Sequence, residues 1–234
     1  MLRVRIAPID PLVVVAGEDA PAWLGASERG RWKTLPAARR REFLAARRLL
    51  RDVLAQATGQ PGDRWQVSAE AGVGPAATLV DGQARPMPKV SIAHRLGWVA
   101  VAVGPAEGGA IGVDIECERP ARGDPDERAA LMLPADELAR WRALAGTRRA
   151  AALMRAWVAR EAWFKARERA GPWDFRRIAC AACEPARANV RIWEAGPMWV
   201  ALCAGDAGAL EAAACDGWPE PASSSYWRVR SLDR

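Results

Sequence analysis

Apolar positions along the chain recur with two periods. Phe43, Leu49, Leu50, Val53 and Leu54 return at three- and four-residue intervals, which predicts an amphipathic helix over about residues 37–57 in an Arg- and Ala-rich stretch beginning near Ser27. Residues 126–145 and 148–170 carry the same helical spacing. Short apolar runs instead predict strands at 4–16 (interrupted at Pro8 and Pro11), 110–116, 177–182, 188–193 and 198–204. Residues 90–103 read as a hairpin turning near Arg95-Leu96-Gly97. Residues 59–88 read mostly as loop, with Gly59-Gln60-Pro61-Gly62 and Asp81-Gly82 as turn signals. The Pro- and Ser-rich tail after Gly217 is compatible with either a last strand or a loose end.

A faint internal repeat runs through this pattern. Trp98-Val-Ala-Val-Ala-Val-Gly104 is similar to Trp199-Val-Ala-Leu-Cys-Ala-Gly205, and each closes a hairpin. Arg41-Glu-Phe43, Arg47 and Arg51 parallel Arg155-Ala-Trp157, Glu161 and Lys165. The order of elements favours duplication, each half holding one long helix and a small antiparallel sheet.

Composition narrows the class. With 234 residues the chain is long for one domain and short for two independent ones. Half of the residues are hydrophobic and 26% charged, as in an ordinary soluble globular protein. Lys+Arg 34 against Asp+Glu 28 leaves a net charge of +6, and only Lys33, Lys89 and Lys165 are lysines. A single histidine, His94, excludes a multi-histidine zinc site. Five scattered cysteines do not make a secreted disulfide framework, and Cys180-Ala-Ala-Cys183 has no second CxxC to pair with. No apolar run reaches the ~18 residues of a membrane span, and the first residues lack the long apolar region of a signal peptide. The expected compartment is a reducing cytosol.

Four segments carry candidate chemistry. In Ile111-Gly112-Val113-Asp114-Ile115-Glu116, residues two apart share a strand face, so Asp114 and Glu116 project together. Paired carboxylates need a cation between them, and hard oxygen ligands suit Mg²⁺; a strand running out into solvent would carry the same acids. Trp157, Glu161 and Lys165 lie one turn apart on one helix face, where a surface Glu–Lys pair is the plain alternative. His94 ends Val90-Ser91-Ile92-Ala93-His94, beside a turn. Arginines crowd residues 29–51, with Arg47 and Arg51 on one face; such a run is either a solvated face or a phosphate site.

Taken in order, these segments resemble the 4′-phosphopantetheinyl transferase superfamily in its longer, Sfp-type, pseudo-dimeric form. The resemblance rests on the Arg-rich helix, Gly82-Gln-Ala-Arg85-Pro86, Ser91-Ile-Ala-His94, Gly112-Val-Asp114-Ile-Glu116 and Trp157-Val-Ala-Arg160-Glu161-Ala162-Trp-Phe-Lys165. It spans roughly residues 25–205. It implies an α+β fold of two similar α/β subdomains, residues 1–106 and 107–234. Each would be a small mainly antiparallel sheet on a long helix, with pseudo-two-fold symmetry and an active site in the cleft. The implied reaction moves 4′-phosphopantetheine from coenzyme A to a serine of an acyl, peptidyl or aryl carrier protein and releases 3′,5′-ADP. The implied Mg²⁺ ligands are Asp114, Glu116 and Glu161. Glu161 would also be the base, and Lys165 would hold the pyrophosphate. Arg47, Arg85, His94 and Lys165 would bind coenzyme A. A monomer working on a carrier with an acidic surface is implied, with no nucleic acid and no membrane. The sequence departs from the family pattern at Ala93 and Arg95, which flank His94 where hydroxyls are usual, at Arg85, where lysine is common, and at the compact Ala170-Gly-Pro-Trp-Asp174. These departures bear on carrier preference more than on chemistry. Two other readings stay open: a non-catalytic relative that binds coenzyme A or a carrier, and an arginine-rich nucleic-acid-binding protein.

Overall fold

Buried Val4 and Ile6 alternate with half-buried Arg3 and Arg5, and this period of two makes the first strand, β1 (Arg3–Pro8). The structure, a computed structural model, describes residues 2–13, 20–70, 72–82, 86–118, 124–167, 174–220 and 222–233. The long N-terminal helical pattern divides into α1 (Ala26–Thr34) and α2 (Ala37–Thr58). The break falls at Leu35 and Pro36, both extended, because a residue before proline is steered out of the helical region. Helix α2 stops at Gly59, whose φ of 72° is the left-handed cap that glycine adopts without strain. Two three-residue strands follow, β2 (Trp65–Val67) and β3 (Ala77–Leu79), within the stretch that the sequence pattern assigns to loop. Each is too short to display a period. The hairpin β4 (Lys89–Arg95) and β5 (Trp98–Gly104) turns on Leu96 and Gly97, both at positive φ, the pair of conformations that a two-residue hairpin loop requires.

The second half repeats the order strand, helices, strands. Strand β6 (Ile111–Cys117) is followed by α3 (Pro125–Met132), α4 (Ala135–Arg142) and α5 (Gly146–Lys165). Then come β7 (Ile178–Ala182), β8 (Val190–Ala195), β9 (Met198–Ala204), α6 (Ala207–Ala212), β10 (Ala214–Asp216) and β11 (Ser223–Ser231). The chain is thus a mixed α+β protein with two main sheets, ordered β10-β1-β5-β4 and β6-β9-β8-β11-β7. The C-terminal tail supplies an interior strand, β11 between β8 and β7, while β10 crosses over to run parallel to β1.

Three apolar clusters set the layers. Leu44, Leu49, Leu50, Val53 and Leu54 of α2 pack on Val99, Val101 and Val103 of β5. Val158, Ala159 and Ala162 of α5 pack on Trp199, Ala201 and Cys203 of β9. The opposite faces of the two sheets meet through Val4, Ile6, Ala100, Ala102, Val113, Ile115, Val200 and Leu202. The result is helix, sheet, sheet, helix, each layer hiding one apolar face on the next. Strand β4 runs beside β6, where the Val113 amide donates to Ser91 Oγ at 3.0 Å.

Both long helices are locked by the same bonds. Arg51 of α2 donates through Nη1 to Glu28, 23 residues upstream, at 2.9 Å and to the Arg47 carbonyl one turn back at 3.2 Å. Arg160 of α5 donates to Glu137, again 23 residues upstream, at 2.7 Å and to the Ala156 carbonyl at 3.0 Å. Arg40 stacks over Trp32 and donates to the Leu35 and Lys33 carbonyls; Arg149 stacks over Trp141 and donates to those of Leu144 and Arg142. The bonding pattern sets Arg51 against Arg160, whereas the aromatic-led sequence pattern sets Arg51 against Lys165.

Candidate functional site

Asp114 and Glu116 share the face of β6 that looks toward α5: their cross-strand neighbours on β9 are Ala201 and Trp199, both in the α5 core. Val113 and Ile115 point the other way, into the core between the sheets. Trp157, Glu161 and Lys165 come down on the acids from α5, at helical spacings of one turn. Gly112 permits that approach. A Cβ at this position would collide with the Ala162 carbonyl oxygen and the Ala166 amide nitrogen of the α5 backbone, so only hydrogen fits. Gly112→Ala is therefore expected to lower the melting temperature, by a stability loss of about 1–3 kcal/mol or more, and to weaken any activity that needs α5 and β6 together. Thermal unfolding followed by circular dichroism checks this.

The contacts are specific. Lys165 Nζ donates to Asp114 Oδ1 at 2.8 Å. Trp157 Nε1 donates to Glu116 Oε1 at 3.2 Å, and Arg95 Nε lies 2.7 Å from Glu116 Oε2 as an ion pair. Both carboxylates are buried, Asp114 at 6% and Glu116 at 7% exposure. Asp114 Oδ2 has no hydrogen-bond partner among the described residues. Burial pushes the Asp114 carboxyl above its ordinary value, against the pull of Lys165. Burial also pushes Glu161 up, to about 7; Asp114 and Glu116 add to the rise and Lys165 and Arg95 oppose it. Asp114 and Glu116 thus both act on Glu161 by charge, and Lys165 and Arg95 oppose them.

His94 stands on the neighbouring strand, with Nδ1 3.4 Å from Glu42 Oε2 of α2. Burial draws its pKa below the ordinary value, countered by Glu42; Lys165 lowers it further and Asp114 raises it, which places the ring within the field of the acidic cluster. The structure therefore brings Asp114, Glu116, Glu161, Lys165 and His94 to one seam between β4, β6 and α5. It does not bring Arg47 there. That side chain is buried along α2, 3.5 Å from Glu28 Oε1 and donating to the Ser68 carbonyl at 3.1 Å, and burial lowers its pKa to about 10. Arg85 lies outside the described residues. Sequence reasoning missed Glu42, although it is the one acid within the arginine run, and missed the hydrogen bond from Trp157 to Glu116. It also missed Glu28 and Glu137, whose helix spacing looks like that of surface residues.

Fold and site define a mixed α/β protein whose buried acidic cluster is counterbalanced by Lys165 and Arg95. Residues 110–213 match the model of the 4′-phosphopantetheinyl transferase superfamily, and this match supports phosphopantetheine transfer. The matched stretch contains Asp114, Glu116, Glu161 and Lys165, and it ends short of β4 and α2 on the N-terminal side. No curated protein matches the chain.

The Mg²⁺ expected with that family can be tested against the donors present. Among the described residues no three histidines, cysteines or acids stand together closely enough to hold one ion. The donor types nevertheless fit, since all three acids offer hard oxygen and Asp114 Oδ2 is a buried oxygen with no partner among the described residues. The described cysteines are free thiols, and burial pushes Cys180, Cys203 and Cys215 up to about 12, so they do not extend the donor set. No described helix is long and apolar enough to cross a membrane.

Proposed function

We propose that the protein is a holo-carrier-protein synthase: it transfers 4′-phosphopantetheine from coenzyme A to a serine hydroxyl of an acyl, peptidyl or aryl carrier protein and releases 3′,5′-ADP. The observation that carries this reading is the convergence of Asp114, Glu116, Glu161 and Lys165 inside the segment that matches the superfamily. The carrier serine oxygen attacks the β-phosphorus of coenzyme A, a P–O bond to that serine forms, and the bond to the 3′,5′-ADP oxygen breaks. Asp114, Glu116 and Glu161, not close enough as they stand to hold one ion, would draw together around Mg²⁺, which would neutralise the pyrophosphate charge. Glu161 takes the serine proton, directly or through a water, and its raised pKa suits that transfer near neutral pH. Lys165 shifts from Asp114 toward the pyrophosphate and stabilises charge on the leaving oxygen. His94 contacts the 3′-phosphate of coenzyme A as a hydrogen-bond donor. Arg85 joins the coenzyme A set on the resemblance alone, and Arg47, held by Glu28 and the Ser68 carbonyl, is left out of it.

In this reading residues 1–106 and 107–234 are two subdomains, with β10 tying the second to the first sheet, and the seam between β4 and β6 is the cleft. A monomer is part of this reading. The free cysteines suit a reducing cytoplasm. The excess of arginine suits a carrier with an acidic face. Incubating the protein with coenzyme A, Mg²⁺ and apo-carriers of fatty-acid, polyketide and nonribosomal-peptide type tests the proposal by intact-protein mass. A mass gain of one phosphopantetheine on at least one carrier is expected. No gain on any carrier, together with salt-sensitive DNA binding, overturns it in favour of a nucleic-acid-binding protein.

A further inference from the structure

Glu116 and Asp114 are engaged differently, and the difference points to a role for Arg95. Glu116 Oε1 accepts from Trp157, and Oε2 is ion-paired with Arg95 Nε at 2.7 Å, a charge contact rather than a hydrogen bond. Asp114 gives one oxygen to Lys165 and keeps Oδ2 without a partner among the described residues. Arg95 ends β4, one residue before the positive-φ turn at Leu96 and Gly97, and its side chain is 36% exposed. It therefore reaches the acids from the N-terminal half while remaining open to solvent. The guanidinium satisfies a buried carboxylate that would otherwise face two other acids uncompensated. A cation so placed competes with any divalent ion that would use Glu116.

We propose that Arg95 is a competing counter-cation, displaced from Glu116 when a divalent ion binds and then free to pair with a phosphate of the incoming donor. This rests on the metal-dependent phosphopantetheine transfer proposed above. Its consequence is coupling between two ligands. Without coenzyme A, Mg²⁺ must displace Arg95 and the guanidinium is left without a partner. With coenzyme A present, the freed guanidinium finds a phosphate, bidentate geometry being favoured. Each ligand then strengthens the other by the same factor.

The test is binding rather than turnover. Isothermal titration of Mn²⁺, as a stand-in for Mg²⁺, into the full chain is compared for the unaltered protein, Arg95→Gln and Arg95→Lys, with and without 3′,5′-ADP or coenzyme A. Arg95→Gln is expected to bind Mn²⁺ roughly tenfold more tightly than the unaltered protein when no nucleotide is present, because a like-charged competitor is gone. Coenzyme A is expected to tighten Mn²⁺ binding to the unaltered protein and to do so much less in Arg95→Gln. Arg95→Lys, which keeps the charge, is expected to stay near the unaltered protein and serves as the comparison if the glutamine variant fails to fold. Equal Mn²⁺ affinity in the glutamine variant and the unaltered protein, or in the lysine variant a tightening as large as that expected for glutamine, overturns the role of Arg95 while leaving the transfer reading intact. Failure of every form to bind Mn²⁺ and coenzyme A overturns both.

Discussion

Glu161→Gln is expected to cut phosphopantetheine transfer at least about a hundredfold while leaving the melting temperature unchanged or higher. The amide keeps the size of the side chain and removes the charge on which both proposed roles, base and metal ligand, depend. Glu161 is also a strained member of the fold in electrostatic terms. Burial and the charges of Asp114 and Glu116 push its carboxyl up to about 7, so its ionised form is disfavoured in the folded chain. A neutral amide relieves that repulsion. Activity therefore falls while stability does not, which separates a functional group from a structural one. Mass-resolved transfer kinetics and thermal melting on the same preparation check this. Transfer within a few-fold of the unaltered protein would remove Glu161 from both of its proposed roles.

Arg160→Leu is expected to destabilise the protein by about 3–5 kcal/mol, the cost of a broken buried pair. Arg160 is fully buried and donates to Glu137 Oε2, to the Ile178 carbonyl from two nitrogens and to Ala156 O. Glu137 in turn accepts from the Cys180 amide at 2.6 Å. One side chain thus ties α4, α5 and β7 together. Without it the Glu137 carboxylate stays buried with its charge uncompensated. For a chain of this length the melting temperature should fall by roughly 10 °C. Replacing both partners, Arg160→Met with Glu137→Met, should recover most of the loss, because the uncompensated charge is then gone. A double variant no more stable than the single one would show that the backbone bonds to Ile178 and Cys180, rather than the ion pair, carry the stability. Since Arg160 adjoins Glu161 on α5, residual activity in the single variant at low temperature would distinguish lost fold from lost site.

Much of the site could be read before any tertiary contact was known. The period of two around Asp114 and Glu116 and the four-residue steps from Trp157 to Lys165 each place side chains on one face of one element, and the structure keeps both faces together. Ser91 and His94 are likewise on β4, where a short strand before a turn puts them. What a linear pattern could not supply was the partner of each charge. Arg47 looks like a surface phosphate ligand by its spacing, yet it is held against Glu28 inside the first half. Glu28 and Glu137 look like exposed acids and are buried by the arginines that neutralise them. Arg95, a departure from the family pattern in the sequence, is the cation on Glu116.

The sequence by itself determined the α2 and α5 helices, the β4–β5 hairpin, and the strand that carries the two acids, because local period and turn chemistry act within one element. Tertiary structure alone decided that the Ser-rich tail becomes β11 between β8 and β7, since only open backbone hydrogen bonds on those two strands call for it. It decided that β10 joins β1 across the chain. It also decided that the three acids share one seam with Lys165, Arg95 and His94, since the missing side chain of Gly112 lets α5 settle onto β6 and the packing of both sheets sets β4 beside them. Charges buried at a meeting of elements depend on contacts between residues far apart in the chain, and no period within one element records those.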